Sequence, residues 1–231
     1  MTKGRTIQDQ ITGFWSAVAS GYEAHGGNVP ARASAEFDAW VRAVANLLPA
    51  PPVDVLDVAT GTGFVALIAA GLGHRVTAID LAGPMLAEAV KEAKLRELEV
   101  TFRCDDAVAP ALAPQSFDVV VNRHLFWTLR DPASALAAWR RLLRPGGRVV
   151  TIDSFWLDSK EEPNAFFASY YTPETRKQLP GWQYSEAAPI GALFAAAGFS
   201  DVSVVSLDDV HRVATNPPSP KPSYALVGFA R

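Results

Sequence analysis

The stretch VLDVATGTGFVAL, residues 55–67, decides the fold of this chain. Its apolar run stops at two glycines, Gly61 and Gly63, and apolar residues then return with helical spacing, which predicts a strand, a tight turn and a helix. Glycine adopts positive φ and permits close approach to the backbone, so amides at the helix start would face an open crevice. Such a turn fits phosphate sites, dinucleotide sites and several others, and the rest of the chain must select the ligand.

Length, composition and charge narrow the class of protein. With 231 residues and 49% hydrophobic content, the chain is long enough for one α/β domain with a full core. A net charge of −3 without a basic cluster argues against a nucleic-acid partner. The polar start and the lack of an apolar run of about 20 residues predict a cytoplasmic protein with no membrane partner. A single cysteine, Cys104, and four histidines without ligand spacing predict no disulfide and no metal.

Outward from this stretch, strands alternate with helices, which predicts a doubly wound, Rossmann-like α/β fold. We expect a seven-stranded, mostly parallel sheet with an antiparallel last strand. Residues 144–147 predict a tight stop before the strand at 148–152. Two late strands, 202–207 and 224–229, are predicted to be joined by a proline-rich loop without a helix and to pair antiparallel.

We expect residues 1–231 to form one domain with four parts. Two amphipathic helices in residues 1–50 would cap the core, which would occupy residues 51–153 and bind the cofactor. Residues 154–188 would form short helices as a substrate-pocket insertion after strand five. Residues 189–231 would supply a C-terminal helix and the antiparallel strand pair.

The end of the second predicted strand carries the residue that selects the ligand. Asp80 follows Gly63 at close to the spacing at which a carboxylate accepts both hydroxyls of a ribose. A nicotinamide dinucleotide stays open on the glycines alone, because Ala66 is tolerated at the third position of that pattern. Asp57 weighs against it, since its charge would face a pyrophosphate and no arginine or lysine stands near the turn in sequence. A carboxylate there suits a cationic ligand.

Five segments together resemble the motifs of class I S-adenosylmethionine-dependent methyltransferases. They follow the order and spacing of that family, and the resemblance is closest to the small-molecule branch that includes the ubiquinone and menaquinone methyltransferases. It covers about residues 54–153. The segments are 55–67, 78–86, 104–107, 117–122 and 142–148.

The resemblance implies S-adenosylmethionine as the cofactor and assigns contacts to its methionine and ribose. The turn at Ala59, Gly61 and Gly63 would pack against the methionine moiety, and Asp57 would lie near its ammonium. Asp80 would hold the ribose hydroxyls. The chain departs from the family at Ala59 and its neighbour Thr60, where many relatives carry cysteine and glycine.

The same resemblance assigns contacts around the adenine and the methyl group. Leu81 and Met85 would flank the adenine ring, Asp106 would accept from its exocyclic amine, and the amide of Ala107 would meet a ring nitrogen. The carbonyl of Asn122 would lie near the ammonium or the sulfonium methyl.

The chemistry needs an aligned acceptor more than a strong base, because the methyl group of a sulfonium is already activated. His124 after strand four, or His25 in the N-terminal loop, is a candidate base for an acceptor hydroxyl or amine. For His124 the alternative is a helix-start residue bonded to the backbone. By resemblance, Tyr22 would reach over the cofactor from the cap and take part in catalysis. Arg123 would either bind an acidic group of the substrate or lie exposed at a helix start.

Aromatic residues of the cap and of the insertion predict the acceptor pocket. We expect a partly aromatic cavity with few fixed charges, suited to a small aromatic or heterocyclic metabolite. The alternative is that at least half of these side chains pack among themselves. The candidates are Phe14, Trp127, Phe155, Trp156, Tyr170, Tyr171 and Trp182.

The sequence therefore predicts an enzyme that transfers the methyl group of S-adenosylmethionine to an oxygen, nitrogen or carbon nucleophile of a small molecule. We expect a monomer or a homodimer. Two alternatives remain: a lyase or cyclase that acts on the aminobutyrate chain of the cofactor, and a non-catalytic cofactor-binding module. The intact motif residues Gly61, Gly63, Asp80 and Asp106 count against the module.

Overall fold

In the computed structural model of the chain, strands form one sheet with helices on both faces. The structure describes residues 6–22, 30–154, 164–214 and 223–231. Seven strands lie in these segments: β1 (Asp54–Val58), β2 (Arg75–Asp80), β3 (Val100–Cys104), β4 (Phe117–Arg123), β5 (Leu143–Asp153), β6 (Phe199–Ser206) and β7 (Tyr224–Ala230). The α-helices described are α1 (Ile7–Val18), α2 (Ala35–Leu47), α3 (Phe64–Gly71), α4 (Gly83–Leu95), α5 (Pro132–Leu142), α6 (Ala165–Tyr170), α7 (Pro173–Lys177), α8 (Ala188–Ala196) and α9 (Asp208–Val213).

The strand order is β3-β2-β1-β4-β5-β7-β6. Strand β7 runs antiparallel to β5 and β6, and the four other described pairs are parallel. The winding direction reverses between β1 and β4, because the chain moves outward through β2 and β3 and then returns to the other side of β1. Ligands bind beyond the carboxyl ends of the strands at such a switch point. The predicted doubly wound fold with its antiparallel last strand is confirmed.

Side-chain alternation along the central strands separates two apolar layers. In β1, Val55 packs with α2 and α3 on one face, whereas Leu56 packs with α5 and α8 on the other. Strand β4 follows the same period of two, with Val119 and Val121 on the α2/α3 face and Val120 on the opposite face. The same alternation decides which face the polar side chains at the strand ends occupy.

The two N-terminal helices occupy different places. Thr6 and Asp9 form a capping box that begins α1, and the side chain of Ser34 accepts from the Phe37 amide to begin α2. Helix α2 packs into the apolar layer against α3 and the sheet. Helix α1 instead packs against the start of α4, where Trp15 contacts a small cluster that contains Met85. Helix α1 therefore covers the region beyond the carboxyl ends of the strands.

Three local predictions differ from the structure. The predicted stop at residues 144–147 lies inside β5, because a register shift against β4 absorbs the irregularity and Gly146 takes a φ of +80° within it. The two late strands are not joined by a loop alone, since α9 follows β6 with two aspartates in its first turn, where the helix dipole favours them. Strand β6 also begins earlier than predicted, at Phe199. The proline-rich segment itself lies outside the described residues.

Candidate active site

A cavity opens beyond the carboxyl ends of β1, β2 and β4, beneath α1. We call it the central cavity, and it encloses about 1020 Å³ of space, counting its open mouth. Most of the predicted cofactor residues line it, although they come from separate turns of the chain. These are Tyr22, Asp57, Ala59, Gly61, Asp80, Leu81, Met85, Asp106 and Ala107. The candidate base His124 lines the cavity as well.

The turn between β1 and α3 contains three residues with positive φ, namely Ala59 at 54°, Gly61 at 58° and Gly63 at 89°. A Cβ built at Gly61 meets nothing within 4 Å, so this glycine serves the turn conformation and leaves the backbone open to the cavity. Gly63 is required for helix packing and not for access to the cavity. A Cβ there would lie 3.2 Å from that of Ala89, so Gly63 permits close packing of α3 against α4 and does not line the cavity.

Asp57 is a buried carboxylate at the base of the central cavity, only 2% exposed. The Thr60 hydroxyl donates to its Oδ2 at 2.7 Å, and the Ala66 amide donates to the same oxygen at 3.0 Å. Among the described residues Oδ1 has no hydrogen-bond donor, so it is the oxygen left for a ligand. Burial raises the pKa of Asp57 to about 7, against the lowering effect of these two bonds and of Arg123. A cationic ligand would relieve that cost.

Asp80 sits at the end of β2 and is fixed by two main-chain amides. Gly61 donates to its Oδ2 at 2.9 Å, and Ala82 donates to its Oδ1 at 2.8 Å. Burial raises the pKa of Asp80 above its ordinary value, while the amide hydrogen bonds oppose that rise. Each oxygen keeps a lone pair for a further donor, which suits a pair of vicinal hydroxyls.

Asp106 is held from the side by Arg130, which the sequence did not single out. The guanidinium of Arg130 contacts both carboxylate oxygens, one of them at 3.1 Å, and also contacts the side chain of Gln8 in α1. Burial would raise the pKa of Asp106, but the bonds from Arg130 and the Val108 amide lower it overall. Asp106 therefore lines the cavity as a charged acceptor whose orientation is tied to α1.

His124 lies at the exit of β4 in a left-handed conformation, with a φ of 54°. Its amide donates to the carbonyl of Ile152 at 2.9 Å, and its Nδ1 lies 3.4 Å from Oδ1 of Asp153 at the end of β5. Burial lowers the pKa of His124, although the bond to Asp153 opposes that shift. The imidazole is therefore neutral at pH 7 and its orientation is fixed.

The structure bears on two predictions about the end of β4, and the contact of the Asn122 carbonyl with the ligand stays a prediction. Asn122 is fully buried, its Nδ2 donates to the Thr151 hydroxyl at 3.1 Å, and it does not line the central cavity. Arg123 is not an exposed helix-start residue: it is partly buried and lines the cavity. Its guanidinium stacks 4.1 Å above the ring of Phe64, and it interacts electrostatically with Asp57. Arg123 is far from the glycine turn in sequence, so the expectation of no cation there was wrong.

The position of Arg123 near Asp57 could have been predicted from the pairing of β1 with β4. Asp57 lies opposite Val121 in the β1–β4 register, and Arg123 is two residues further along the same face of β4. A parallel pairing of β1 with β4 therefore places this cation near Asp57. The sequence predicts both strands, but only the register between β1 and β4 shows that Arg123 and Asp57 lie near each other.

A second cavity lies between α1 and the segment that contains α6, and we call it the aromatic cavity. It encloses about 1800 Å³, counting open space, and shares the residues Trp15, Tyr22 and His124 with the central cavity. Two predicted substrate residues, Phe14 and Trp127, line it. Others that line it were not predicted as site residues: Trp15, Ser154, Asn164, Phe166 and Phe167.

The other predicted substrate residues do not line this cavity. Tyr171 is fully buried, shares a hydrogen bond of 2.6 Å with the Thr128 hydroxyl, and stacks on Phe167 at 4.7 Å between ring centroids. Trp182 lies 6.0 Å from both Tyr171 and Phe167 between ring centroids, and Tyr170 packs edge-on against Phe14. These rings support the wall from behind because they pack among themselves. Phe155, Trp156 and His25 lie outside the described residues.

The described segments also bear on metals and membranes. Within residues 6–22, 30–154, 164–214 and 223–231, three or more His, Cys, Asp or Glu side chains do not come together as a metal site. In the same part of the chain, every helix is too short or too polar to cross a membrane.

The central cavity fits S-adenosylmethionine on its own chemistry. Asp57 offers a carboxylate oxygen to an ammonium, and Asp80 offers two oxygens to ribose hydroxyls beside the open backbone of Gly61. Leu81 and Met85 provide apolar surface for an adenine ring. A pyrophosphate would instead meet the carboxylates of Asp57 and Asp80.

Comparison with known proteins agrees with this fit. Residues 56–151 match the methyltransferase domain family. A demethylmenaquinone methyltransferase of Thermus thermophilus is 35% identical over 180 residues, which cover 69% of this chain and 80% of that protein. A ubiquinone biosynthesis O-methyltransferase of Cereibacter sphaeroides is 34% identical over 117 residues, which cover 51% of this chain and 46% of that protein.

A solved structure shows the same fold at low sequence identity. It is phosphoethanolamine N-methyltransferase 2 of Haemonchus contortus, in complex with phosphomonomethylethanolamine and S-adenosylhomocysteine. It matches 100% of this chain and 61% of its own with a TM-score of 0.70 and 19% identity. The chain belongs to the class I S-adenosylmethionine-dependent methyltransferases of the ubiquinone and menaquinone type, and S-adenosylmethionine is its cofactor.

Proposed function

We propose that this methyltransferase acts on a small aromatic acceptor of the quinol type, bound in the aromatic cavity, with His124 as the general base. The methyl group would go to a phenolic oxygen or to the adjacent ring carbon, because ionisation of a phenol makes both positions nucleophilic. The names of the Thermus and Cereibacter relatives support this substrate class, since they refer to demethylmenaquinone and to ubiquinone biosynthesis.

The observation that carries the proposal is the place of His124. It lines both cavities, so an imidazole at this point faces the cofactor on one side and an acceptor on the other. A base must lie within hydrogen-bond reach of the proton that it removes. Trp15 and Tyr22 line the same shared wall. Tyr22 is therefore a second candidate for contact with the reacting groups.

Asp153 sets the tautomer of His124. A carboxylate only accepts hydrogen bonds, so Nδ1 of His124 must be the donor in the contact with Asp153, and Nε2 then carries the free lone pair. Asp153 is itself fixed, because the same Oδ1 accepts from the Ser154 amide at 2.8 Å. This arrangement presents an unprotonated nitrogen, which takes the proton of an acceptor hydroxyl.

The reaction balances without another reagent. Bound S-adenosylmethionine supplies a methyl group on a positively charged sulfur, and its departure leaves a neutral thioether. His124 accepts the proton of the acceptor hydroxyl, and for transfer to oxygen the new O–C bond forms and the positive charge ends on the imidazolium. For transfer to carbon, the ring proton at that carbon must also leave to restore the aromatic ring, while the ring oxygen takes back a proton, so the net result is again one proton on the imidazole. Helix α1 and the aromatic wall cover the transfer path and position the acceptor along it.

The wall of the aromatic cavity favours a flat, uncharged acceptor. Phe14, Trp15, Trp127 and Phe166 line it, and no lysine, arginine, aspartate or glutamate is among the described lining residues. Ser154 adds a buried hydroxyl whose Oγ has no hydrogen-bond partner in the described part of the chain. A ring with one or two oxygen substituents matches these surroundings.

Product analysis tests the proposal. The protein would be incubated with S-adenosylmethionine and a panel of phenols, hydroquinones and aromatic amines, followed by mass spectrometry of both products. We expect a methylated phenol or hydroquinone together with S-adenosylhomocysteine. Methylthioadenosine in place of S-adenosylhomocysteine would reveal the lyase or cyclase alternative. Lack of turnover across the panel, with the cofactor bound, would contradict the acceptor class.

The role of His124 is tested by substitution. His124→Gln should lower kcat by about 10²- to 10⁴-fold while cofactor affinity stays nearly unchanged, because a general base acts only in the transition state. His211→Gln is the matched control, since His211 belongs to α9 and lines neither cavity.

Asp153 should act through His124. Asp153→Asn removes the group that raises the pKa of His124, so the acidic limb of the kcat profile should move to lower pH as kcat falls. An unchanged profile in both the His124→Gln and the Asp153→Asn variants would refute base catalysis by this pair.

A further inference from the structure

Arg123 lines the central cavity, and neither the cofactor contacts implied by the family resemblance nor the proposed proton transfer uses it. It extends from the last residue of β4, on the face of the sheet that also carries Asp57. Its guanidinium carbon lies 4.1 Å from the ring centroid of Phe64 and 5.2 Å from that of Trp40. Cation–π contacts with two rings, from α3 and α2, hold a cation in place inside a ligand cavity.

The charges around Arg123 match a zwitterionic ligand. Asp57, Glu36 and Tyr22 interact electrostatically with the guanidinium, and they come from β1, α2 and the turn after α1. A guanidinium has five donors, so these groups and a ligand can share it. Asp57 and Arg123 thus place one anion and one cation close together at the same end of the cavity.

A second polar group points to an anion at this end. Thr62 lines the central cavity and is 2% exposed, and its Oγ1 has no hydrogen-bond partner among the described residues. A buried hydroxyl without a partner is costly unless a ligand supplies one. Thr62 also stands just before α3, whose N-cap residue, Gly63, provides no side-chain cap. The first turn of a helix favours a negative group.

We propose that Arg123 and Thr62, together with the first turn of α3, bind the α-carboxylate of S-adenosylmethionine, while Asp57 binds its α-ammonium. The two charged side chains then form a complementary pair for the amino-acid end of the cofactor. Phe64 serves twice, because it begins α3 and also supports the guanidinium. This inference rests on the assignment of the cofactor and is independent of the acceptor.

Pairing truncated ligands with truncated side chains tests the proposal by calorimetry, without turnover. The probes are S-adenosylhomocysteine and its decarboxylated analogue, which keeps the ammonium and lacks only the carboxylate. The unmodified protein should prefer S-adenosylhomocysteine by about 10- to 100-fold, the range for a charge-assisted contact. Arg123→Met should reduce this preference to within about threefold, and Thr62→Val should reduce it partly.

Controls separate this role from a structural one. Arg130→Met alters the other end of the cavity and should weaken both ligands equally, so the preference for the carboxylate stays. Arg123→Lys keeps the positive charge and should restore part of the preference. Near-ultraviolet circular dichroism of each variant reports whether the fold is intact.

Two results would overturn the proposal. If Arg123→Met weakened both ligands by the same factor, so that the preference for the carboxylate stayed, Arg123 would act through Asp57 or the fold and not on the carboxylate. If the unmodified protein bound neither ligand, the cofactor assignment would fail, and this inference with it.

Discussion

The central cavity and the aromatic cavity meet at His124, but they are built in different ways. The floor of the central cavity consists of strand ends and tight turns, where main-chain amides of Gly61 and Ala82 orient Asp80. The wall of the aromatic cavity consists of side chains from α1, α6 and the turn after β4, which touch through rings such as Trp127 and Phe167. The floor is fixed by local backbone geometry, whereas the wall depends on packing between distant segments.

This difference implies that the floor determines cofactor affinity and the wall determines acceptor affinity. Changes in the floor should alter cofactor affinity and leave the acceptor constant alone, because the floor residues lie away from the aromatic cavity. Changes in the exposed part of the wall should do the reverse. His124, Tyr22 and Trp15, which line both cavities, are the places where the two effects should mix.

The largest expected effect concerns the buried charge of Asp57. Its pKa in the folded protein is about 7, raised from 3.8, so stability is lost as the pH rises from about 4 to about 7. At about 1.4 kcal/mol per pKa unit, this loss amounts to about 4 kcal/mol. Asp57→Asn removes the buried charge and should abolish the loss.

Denaturant unfolding across this pH range checks the prediction. The free energy of unfolding of Asp57→Asn should rise relative to the unmodified protein as the pH increases from 4 to 8. The same variant should bind S-adenosylhomocysteine more weakly. A constant stability difference between the two proteins over that range would show that Asp57 is not the group that titrates.

The next effect concerns Asp80. Asp80→Ala removes the acceptor for the ribose hydroxyls and should weaken S-adenosylhomocysteine binding by about 10- to 100-fold, or about 1.4 to 2.7 kcal/mol. Titration calorimetry measures this loss, and the KM for the acceptor at saturating cofactor should stay within about twofold. Unchanged cofactor affinity would mean that the end of β2 does not hold the ribose.

A smaller effect should appear at the wall of the aromatic cavity. Phe166 is 48% exposed in the structure and lines that cavity. Phe166→Ala should raise the acceptor KM by about threefold to tenfold, because an aromatic contact contributes about 1 kcal/mol. Its cofactor affinity and its stability should change little.

Tyr171→Phe provides the matched contrast behind the same wall. This variant loses the hydrogen bonds of the phenol hydroxyl with Thr128 and with Trp15 and should lower stability by about 1 to 2 kcal/mol without a change in the acceptor KM. Steady-state kinetics and denaturant unfolding of both variants test the pair. If Tyr171→Phe raised the KM more than Phe166→Ala, the acceptor would lie deeper than the aromatic cavity.

The smallest expected effect concerns Ala59, which adopts a left-handed φ of 54° at the floor. This conformation costs an alanine about 1 kcal/mol, and the greater flexibility of glycine when unfolded offsets part of the gain. Ala59→Gly should therefore stabilise the protein by about 0.5 kcal/mol and leave cofactor affinity within twofold. A loss of stability would show that the Cβ of Ala59 has a packing role.

The sequence predicts the structure best where local chemistry determines it. Asp80 was identified because a strand end and a glycine turn constrain it within a short stretch, and the structure joins the two by a hydrogen bond. For Arg123 the sequence left two alternatives open, and Arg130 was not singled out, since the positions of both depend on strand register and on contacts with distant elements. Helix α9 was missed because it is short and strongly charged.

The aromatic residues also show that the sequence alone does not determine which side chains line a cavity. Phe14, Tyr171 and Trp182 are all aromatic, yet of the three only Phe14 lines the aromatic cavity. Which ring faces the cavity depends on how α1 packs against the segment of α6 and α7. Composition indicated an aromatic region, but three-dimensional packing decides which rings are in reach of a ligand.

A crystal structure with S-adenosylhomocysteine bound tests the central claim most directly. The account predicts ribose hydroxyls on Asp80, the ammonium on Asp57 and the sulfur at the junction of the two cavities beside His124. The aromatic cavity should remain open next to that sulfur. A sulfur directed away from His124, or a nucleoside bound outside the central cavity, would contradict the account.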